Sequence, residues 1–164
     1  MMNVDLILNR LTKYPDAKLY CLVCGLQYER VYGDEIKFIR HVTSPLFRQF
    51  PDTQIAWAGP WLFNVTEKNE FIERFAKLEV SAPALSWIIS STEIDNLAVH
   101  LASLMNITLP DNRTALFRFY DPRVMKNIPN LLDDAQRQFA MKPIHEWYYR
   151  HDNQYYTFQG GMLI

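Results

Sequence analysis

The chain has 164 residues, and 49% hydrophobic against 21% charged residues excludes a disordered chain and points to a folded globular protein. Lys+Arg 17 against Asp+Glu 18 leaves a formal net charge of -1, without the global basic field of a general nucleic-acid binder. A chain of this length forms one domain that buries roughly 70% of its unfolded surface without staples.

In chain order, Val4, Ile7, Leu8 and Leu11 follow helical spacing after Asn3, a candidate N-cap, and Pro15-Asp16 ends that helix. Asp5 breaks the apolar opening and no small-residue cleavage site follows, so a signal peptide is not expected. Leu19 to Val23 is an apolar run bounded by Gly25 and reads as a buried strand. Glu29 to Val42 is partly helical by spacing, and Pro45 to Pro51 is a loop around Leu46 and Phe47. Ile55 to Val65 reads as extended, broken by Gly59-Pro60. Phe71, Ile72, Phe75 and Leu78 make an amphipathic helix, and Leu85 to Ile89 a second buried strand.

Thr92-Glu93-Ile94-Asp95 has the form of a capping box, followed by the stripe Ile94, Leu97, Ala98, Leu101 and Leu104. Pro110-Asp111-Asn112-Arg113 is a turn between Ile107 to Leu109 and Thr114 to Tyr120, which predicts a hairpin. Asp133 can cap a short helix ending before Pro143, and Trp147 to Phe158 is aromatic and extended. Strands alternate with helices, so the expected class is α/β, with mixed α+β possible. One compact domain over 1–164 is expected, with a small mixed sheet flanked by helices. No run reaches the roughly 20 apolar residues of a membrane helix, so membrane insertion is not expected.

Several residue groups invite a chemical reading. Cys21 and Cys24 form a C-x-x-C, but on a strand residues three apart point to opposite faces, so they read as buried thiols of a cytoplasmic protein. His145-Glu146 followed by His151 misses the H-E-x-x-H zinc spacing by two residues. Asp34-Glu35 and Asp133-Asp134 are adjacent acids of the kind that cap helices or face solvent. With only 5 glycines no phosphate-cradling loop is available, and no nucleophile motif occurs. Leu116 to Tyr120 lacks the glycines of an RNA-binding strand, so nucleic acid is not an expected partner. No catalytic residue, cofactor or metal is expected.

Phe117-Arg118-Phe119-Tyr120-Asp121-Pro122-Arg123 is the most informative stretch. A strand leads into Asp121 as N-cap, and Pro122 suits the first helical position. Arg123 in the first turn opposes the helix dipole and calls for a carboxylate, from this domain or from a partner. Alternation sends Arg118 and Tyr120 to the face opposite Phe117 and Phe119. Among the tryptophans, Trp87 and Trp147 read as core, whereas Trp57 and Trp61 straddle Gly59-Pro60 and read as surface anchors.

This stretch resembles the hallmark of the small adaptor/chaperone proteins of bacterial type VI secretion, the Tap or TEC chaperones, first catalogued as a family of unknown function. Leu19 to Val23, Gly59-Pro60-Trp61-Leu62, Trp87 to Ser91, His100-Leu101, Leu109-Pro110-Asp111, and Phe139, Pro143, Ile144 and Trp147 resemble further family segments in the same order. The resemblance covers about residues 19–147. Cys24 stands where the family usually carries Asp, Asn112 replaces the turn Gly, and many members continue into a C-terminal lobe. The resemblance implies a cytoplasmic, non-enzymatic adaptor that binds a toxic effector protein and helps load it onto a VgrG-type spike. It makes Arg118, Tyr120, Asp121, Arg123, Trp57 and Trp61 the residues to examine for partner binding or bracing. The competing classes are an immunity protein that neutralises a cognate toxin and a small hydrolase-like enzyme.

Overall fold

The computed structural model describes residues 4–47, 52–108 and 111–163. The Asn3 cap, residues 48–51 of the expected loop and Leu109-Pro110 of the expected turn lie outside them. Eight strands form among the described residues: β1 (Lys18–Cys24), β2 (Thr43–Pro45), β3 (Pro60–Asn64), β4 (Leu85–Ser90), β5 (Asn106–Thr108), β6 (Thr114–Leu116), β7 (Glu146–His151) and β8 (Gln154–Thr157). Seven α-helices accompany them: α1 (Val4–Leu11), α2 (Gly25–Tyr32), α3 (Asn69–Ser81), α4 (Ile94–Ser103), α5 (Pro122–Met125), α6 (Ile128–Leu131) and α7 (Asp134–Met141).

Six strands make one open sheet in the order β2-β3-β1-β4-β7-β8, and β5 pairs only with β6. Every pair in the large sheet is antiparallel. The class is therefore the α+β form of the mixed fold expected, and the sheet is uniformly antiparallel where a mixed one was anticipated. β1 sits between β3 and β4, and the chain returns through α3 so that both neighbours run against it.

β1 shows why the core has two halves. Leu19, Cys21 and Val23 point into a core closed by Val4 and Ile7 of α1 and by Ile72, Phe75 and Leu78 of α3. Tyr20, Leu22 and Cys24 point into the other, closed by Ile94, Leu97 and Leu101 of α4, Met125 of α5, Ile128 of α6 and Ala140 of α7. A strand covered on both faces reads as a continuous apolar run, which is the pattern of Leu19 to Val23. The same geometry separates Cys21 from Cys24, and both are buried free thiols.

Three expectations are corrected. Asp52–Ala58 is a 3-10 segment kinked at Ile55, whose φ and ψ are −114° and 16°, so Ile55 to Ala58 is not extended. The Ala56 carbonyl accepts the Gly59 N–H at 3.2 Å and the Trp61 indole N–H at 3.0 Å, which curls the segment back onto β3. The N-cap of α4 is Glu93, without a side-chain cap bond, and not Thr92. The Thr92 N–H is taken by Ser90 Oγ at 3.0 Å and its hydroxyl is turned to the Pro143 carbonyl at 3.5 Å. The second hairpin strand ends at Leu116, so residues 117–120 are not a strand. The aromatic stretch Trp147 to Phe158 is extended as expected, folded into the hairpin of β7 and β8. Asp152 and Asn153 take φ of 49° and 63°, the left-handed pair that a two-residue turn requires.

Candidate functional site

Asp121 is buried at 7% exposure and caps α5. Its Oδ1 accepts the Arg123 N–H at 2.9 Å and Arg123 Nε at 3.0 Å, and its Oδ2 accepts Arg123 Nη2 at 2.8 Å. One carboxylate thus serves as the cap and as the counter-ion for the cation that the helix dipole disfavours. The pair raises the Arg123 pKa through the side-chain hydrogen bond first and the charge of Asp121 second. The Arg123 side chain stays 62% exposed.

Residues 117–120 turn instead of running on as a strand, with the Asp121 N–H donating to the Arg118 carbonyl at 3.0 Å. The expected alternation is lost with it. Phe119 and Tyr120 are both buried, their rings 5.9 Å apart, while the exposed Arg118 lies with its guanidinium 5.9 Å from the Tyr120 ring centre.

Phe117 and Phe119 line a groove of about 350 Å³ that the sequence did not reveal. Phe119 and Phe158 are fully buried at its floor, and Phe139 stands 53% exposed at its lip. Leu104 after α4 and Ala135, Gln136 and Ala140 of α7 are among the residues of its walls. A local cap starts α7, and a bond from His100 of α4 holds it against the groove. Asp133 and Gln136 form a reciprocal capping box, and the His100 ring nitrogen Nε2 makes a hydrogen bond of 2.9 Å with the Ala140 carbonyl. His100 also lies 5.3 Å from the Phe139 ring, so its role is to brace the groove wall.

The two tryptophans expected at the surface part company. Trp61 is 5% exposed and sits in β3, so it is a core residue. Its place is explained by β3 being covered on both faces and by the bond from its indole to Ala56. Trp57 is half-buried and lines a cavity of about 520 Å³ with Glu29 and residues 33–37. Trp57 reaches that position because α2 begins with glycine: a Cβ on Gly25 would collide with the Trp57 carbonyl.

The other residues singled out from sequence are not brought together. His145 makes a 2.8 Å hydrogen bond with Ser91 Oγ and stacks on Tyr14, whereas His151 pairs with Asp152 at 3.2 Å. Among the described residues no three His, Cys, Asp or Glu side chains are placed to hold a metal ion, and no helix is long and apolar enough to cross a membrane. Sequence reasoning also missed Glu79, which accepts the Trp87 indole N–H at 2.9 Å and the Tyr155 hydroxyl. Burial lifts its pKa to about 7.

Comparison with known proteins gives one match. The family model described as a domain of unknown function, DUF4123, matches residues 19–138. No curated protein and no solved structure matches the chain.

Proposed function

The chain belongs to the DUF4123 family, and from that membership we propose that it is a non-enzymatic adaptor of type VI secretion. At family level the match is consistent with such a role, and it is the observation that carries the reading. In this reading the protein works in the cytoplasm, binds an effector protein and helps to load it onto a VgrG-type spike.

The groove beside residues 117–119 is the surface we assign to the effector. It joins a deep aromatic floor, Phe119 and Phe158, to an exposed aromatic lip, Phe139. A recess of this kind suits an apolar anchor side chain of a protein partner, the arrangement found at the energetic centre of interfaces. Arg118 and Arg123 stand exposed on the adjoining chain segment, and in this reading they contribute polar contacts around the anchor. An interface of standard size buries about 1,600 Å² in total, which one face of this domain can provide.

Co-expression with a type VI effector and a VgrG-type spike from the same organism, followed by pull-down and a secretion assay, tests the reading. Deletion should abolish delivery of that effector while spike assembly and other cargo persist. Phe139→Glu, an exposed change, should leave folding intact and weaken capture of the effector. Unchanged secretion on deletion would overturn the adaptor role, and inhibition of the toxin by this chain would replace it with an immunity role.

A further inference from the structure

The β5–β6 ribbon stands apart from the large sheet, and among the described strands β5 pairs only with β6. The register decides which peptide groups that pairing leaves over. Asn106 faces Leu116, Ile107 faces Ala115 and Thr108 faces Thr114. The Phe117 N–H donates to the Met105 carbonyl at 2.5 Å. That bond brackets Asn106 and Leu116 as a non-hydrogen-bonded pair, so Ile107 and Ala115 exchange the ladder bonds between them. The N–H and C=O of Asn106 and Thr108 therefore point out of the ribbon on its β5 side. No described backbone group outside the ribbon bonds to either residue.

Proteins commonly guard such a margin with a charge, a proline or a covering element. Ser103 to Thr108 contains neither a charge nor a proline, and Asn106 is exposed. A ribbon of two strands is marginal by itself, and a third strand adds what it lacks. The same strand borders the aromatic groove, where Ser103, Leu104 and Asn106 line one wall and Phe139 of α7 another. Asp133 is the one charged residue among the described residues lining the groove, and its carboxylate is engaged as the cap of α7.

We propose that the effector enters this groove as an extended segment that pairs with β5 as a third strand of the ribbon. The segment is uncharged where it pairs, to match β5, and it sinks one aromatic or large aliphatic side chain beside Phe117 and Phe139. Free peptide groups next to an apolar recess suit this mode, in which backbone bonds hold the strand and the recess selects a side chain. A helix spends its peptide groups on itself and has none along its length for Asn106 and Thr108. The adaptor reading supplies only the source of the strand, so the site is testable without an effector.

The probe is the neutral peptide Ac-Thr-Ser-Phe-Ser-Thr-NH₂, titrated into the full-length ¹⁵N-labelled protein. It should shift the amides of Asn106, Thr108 and Phe139 at about millimolar concentration, and the same peptide with Ala for Phe should bind at least about tenfold more weakly. Methylating the Phe amide nitrogen and methylating the two Ser amide nitrogens should have effects at least about tenfold apart, because alternate N–H groups of a strand point to opposite sides. Thr108→Pro removes an N–H that the β6 ladder does not use, so it should fold and bind the peptide about tenfold more weakly. Thr108→Ala keeps that N–H and should bind as the native protein does. Absence of the shifts, equal effects of the two methylation patterns, or native affinity in Thr108→Pro would overturn the strand site. A native dimer that Thr108→Pro makes monomeric would overturn it too, in favour of a second copy of this chain as the occupant. Loss of peptide binding alone leaves the adaptor role standing, and unchanged secretion on deletion removes the adaptor role and leaves the strand site standing.

Discussion

Glu79 accepts the Trp87 indole N–H at 2.9 Å, joining α3 to the centre of the sheet through a carboxylate. Desolvation outweighs the bonds from Tyr155 and Trp87 and the more distant charge of Arg150, and it raises the pKa of Glu79 from 4.5 to about 7. The folded state therefore holds this proton more tightly than the unfolded chain. Stability from this group is complete below pH 4.5 and is lost as pH rises to about 7, because the unfolded chain ionises first. Glu79→Gln keeps a partner for Trp87 and removes the titration. Denaturation midpoints measured across this range should fall with pH in the native protein and fall less in the variant. Parallel pH profiles would refute the assignment.

Asp121→Ala should destabilise the protein by about 1–2 kcal/mol, through loss of the cap and of the partner for the Arg123 amide. Asp121→Asn keeps an acceptor for that N–H and loses only the ion pair to a largely exposed arginine, about 0.5 kcal/mol. Urea denaturation of both variants separates the cap from the charge.

The tryptophans make a paired test of burial. Trp61→Ala should cost about 3–5 kcal/mol, since it empties a core position in β3. Trp57→Ala should cost about 1 kcal/mol or less, because that ring is already in contact with solvent. Equal losses on chemical denaturation would contradict the placement of the two rings.

Gly25→Ala adds one methyl group where the Trp57 carbonyl leaves no room. The start of α2 or the 3-10 helix must then shift, at a cost of about 1–3 kcal/mol. The melting temperature should fall, and the Trp57 indole resonance should move more than those of the core tryptophans.

Local signals explain what could be read from the sequence. The stripe Ile94, Leu97, Ala98 and Leu101 became the buried face of α4, and the apolar run Leu19 to Val23 the central strand. Asp121 and Asp133 cap helices because the cap is decided within three residues. The Thr92 cap failed because its hydroxyl turned to the Pro143 carbonyl, 51 residues away, while Ser90 Oγ took its N–H. Alternation failed at Arg118 because a turn cannot be seen in a period of two. The groove was illegible for a similar reason: Phe117, Phe139 and Phe158 come from separate elements and look alike as sequence. The ion pair of Arg10 with Glu146 was hidden too, since its partners lie 136 residues apart.

The family match ends at residue 138, but the sheet does not. β7 pairs along β4 from Ser86 to Ile89, and Trp147 fills the core beside Phe119 while its indole N–H donates to Ser86 Oγ at 2.9 Å. A chain cut at the family boundary would expose β4, buried along its whole length, as a bare edge of unpaired peptide groups. Such an edge recruits strands from other copies, so the shortened protein should aggregate, whatever its partner-binding residues retain. Expression designed on family limits would produce inclusion bodies, and the β7–β8 hairpin is the segment that keeps this sheet from polymerising.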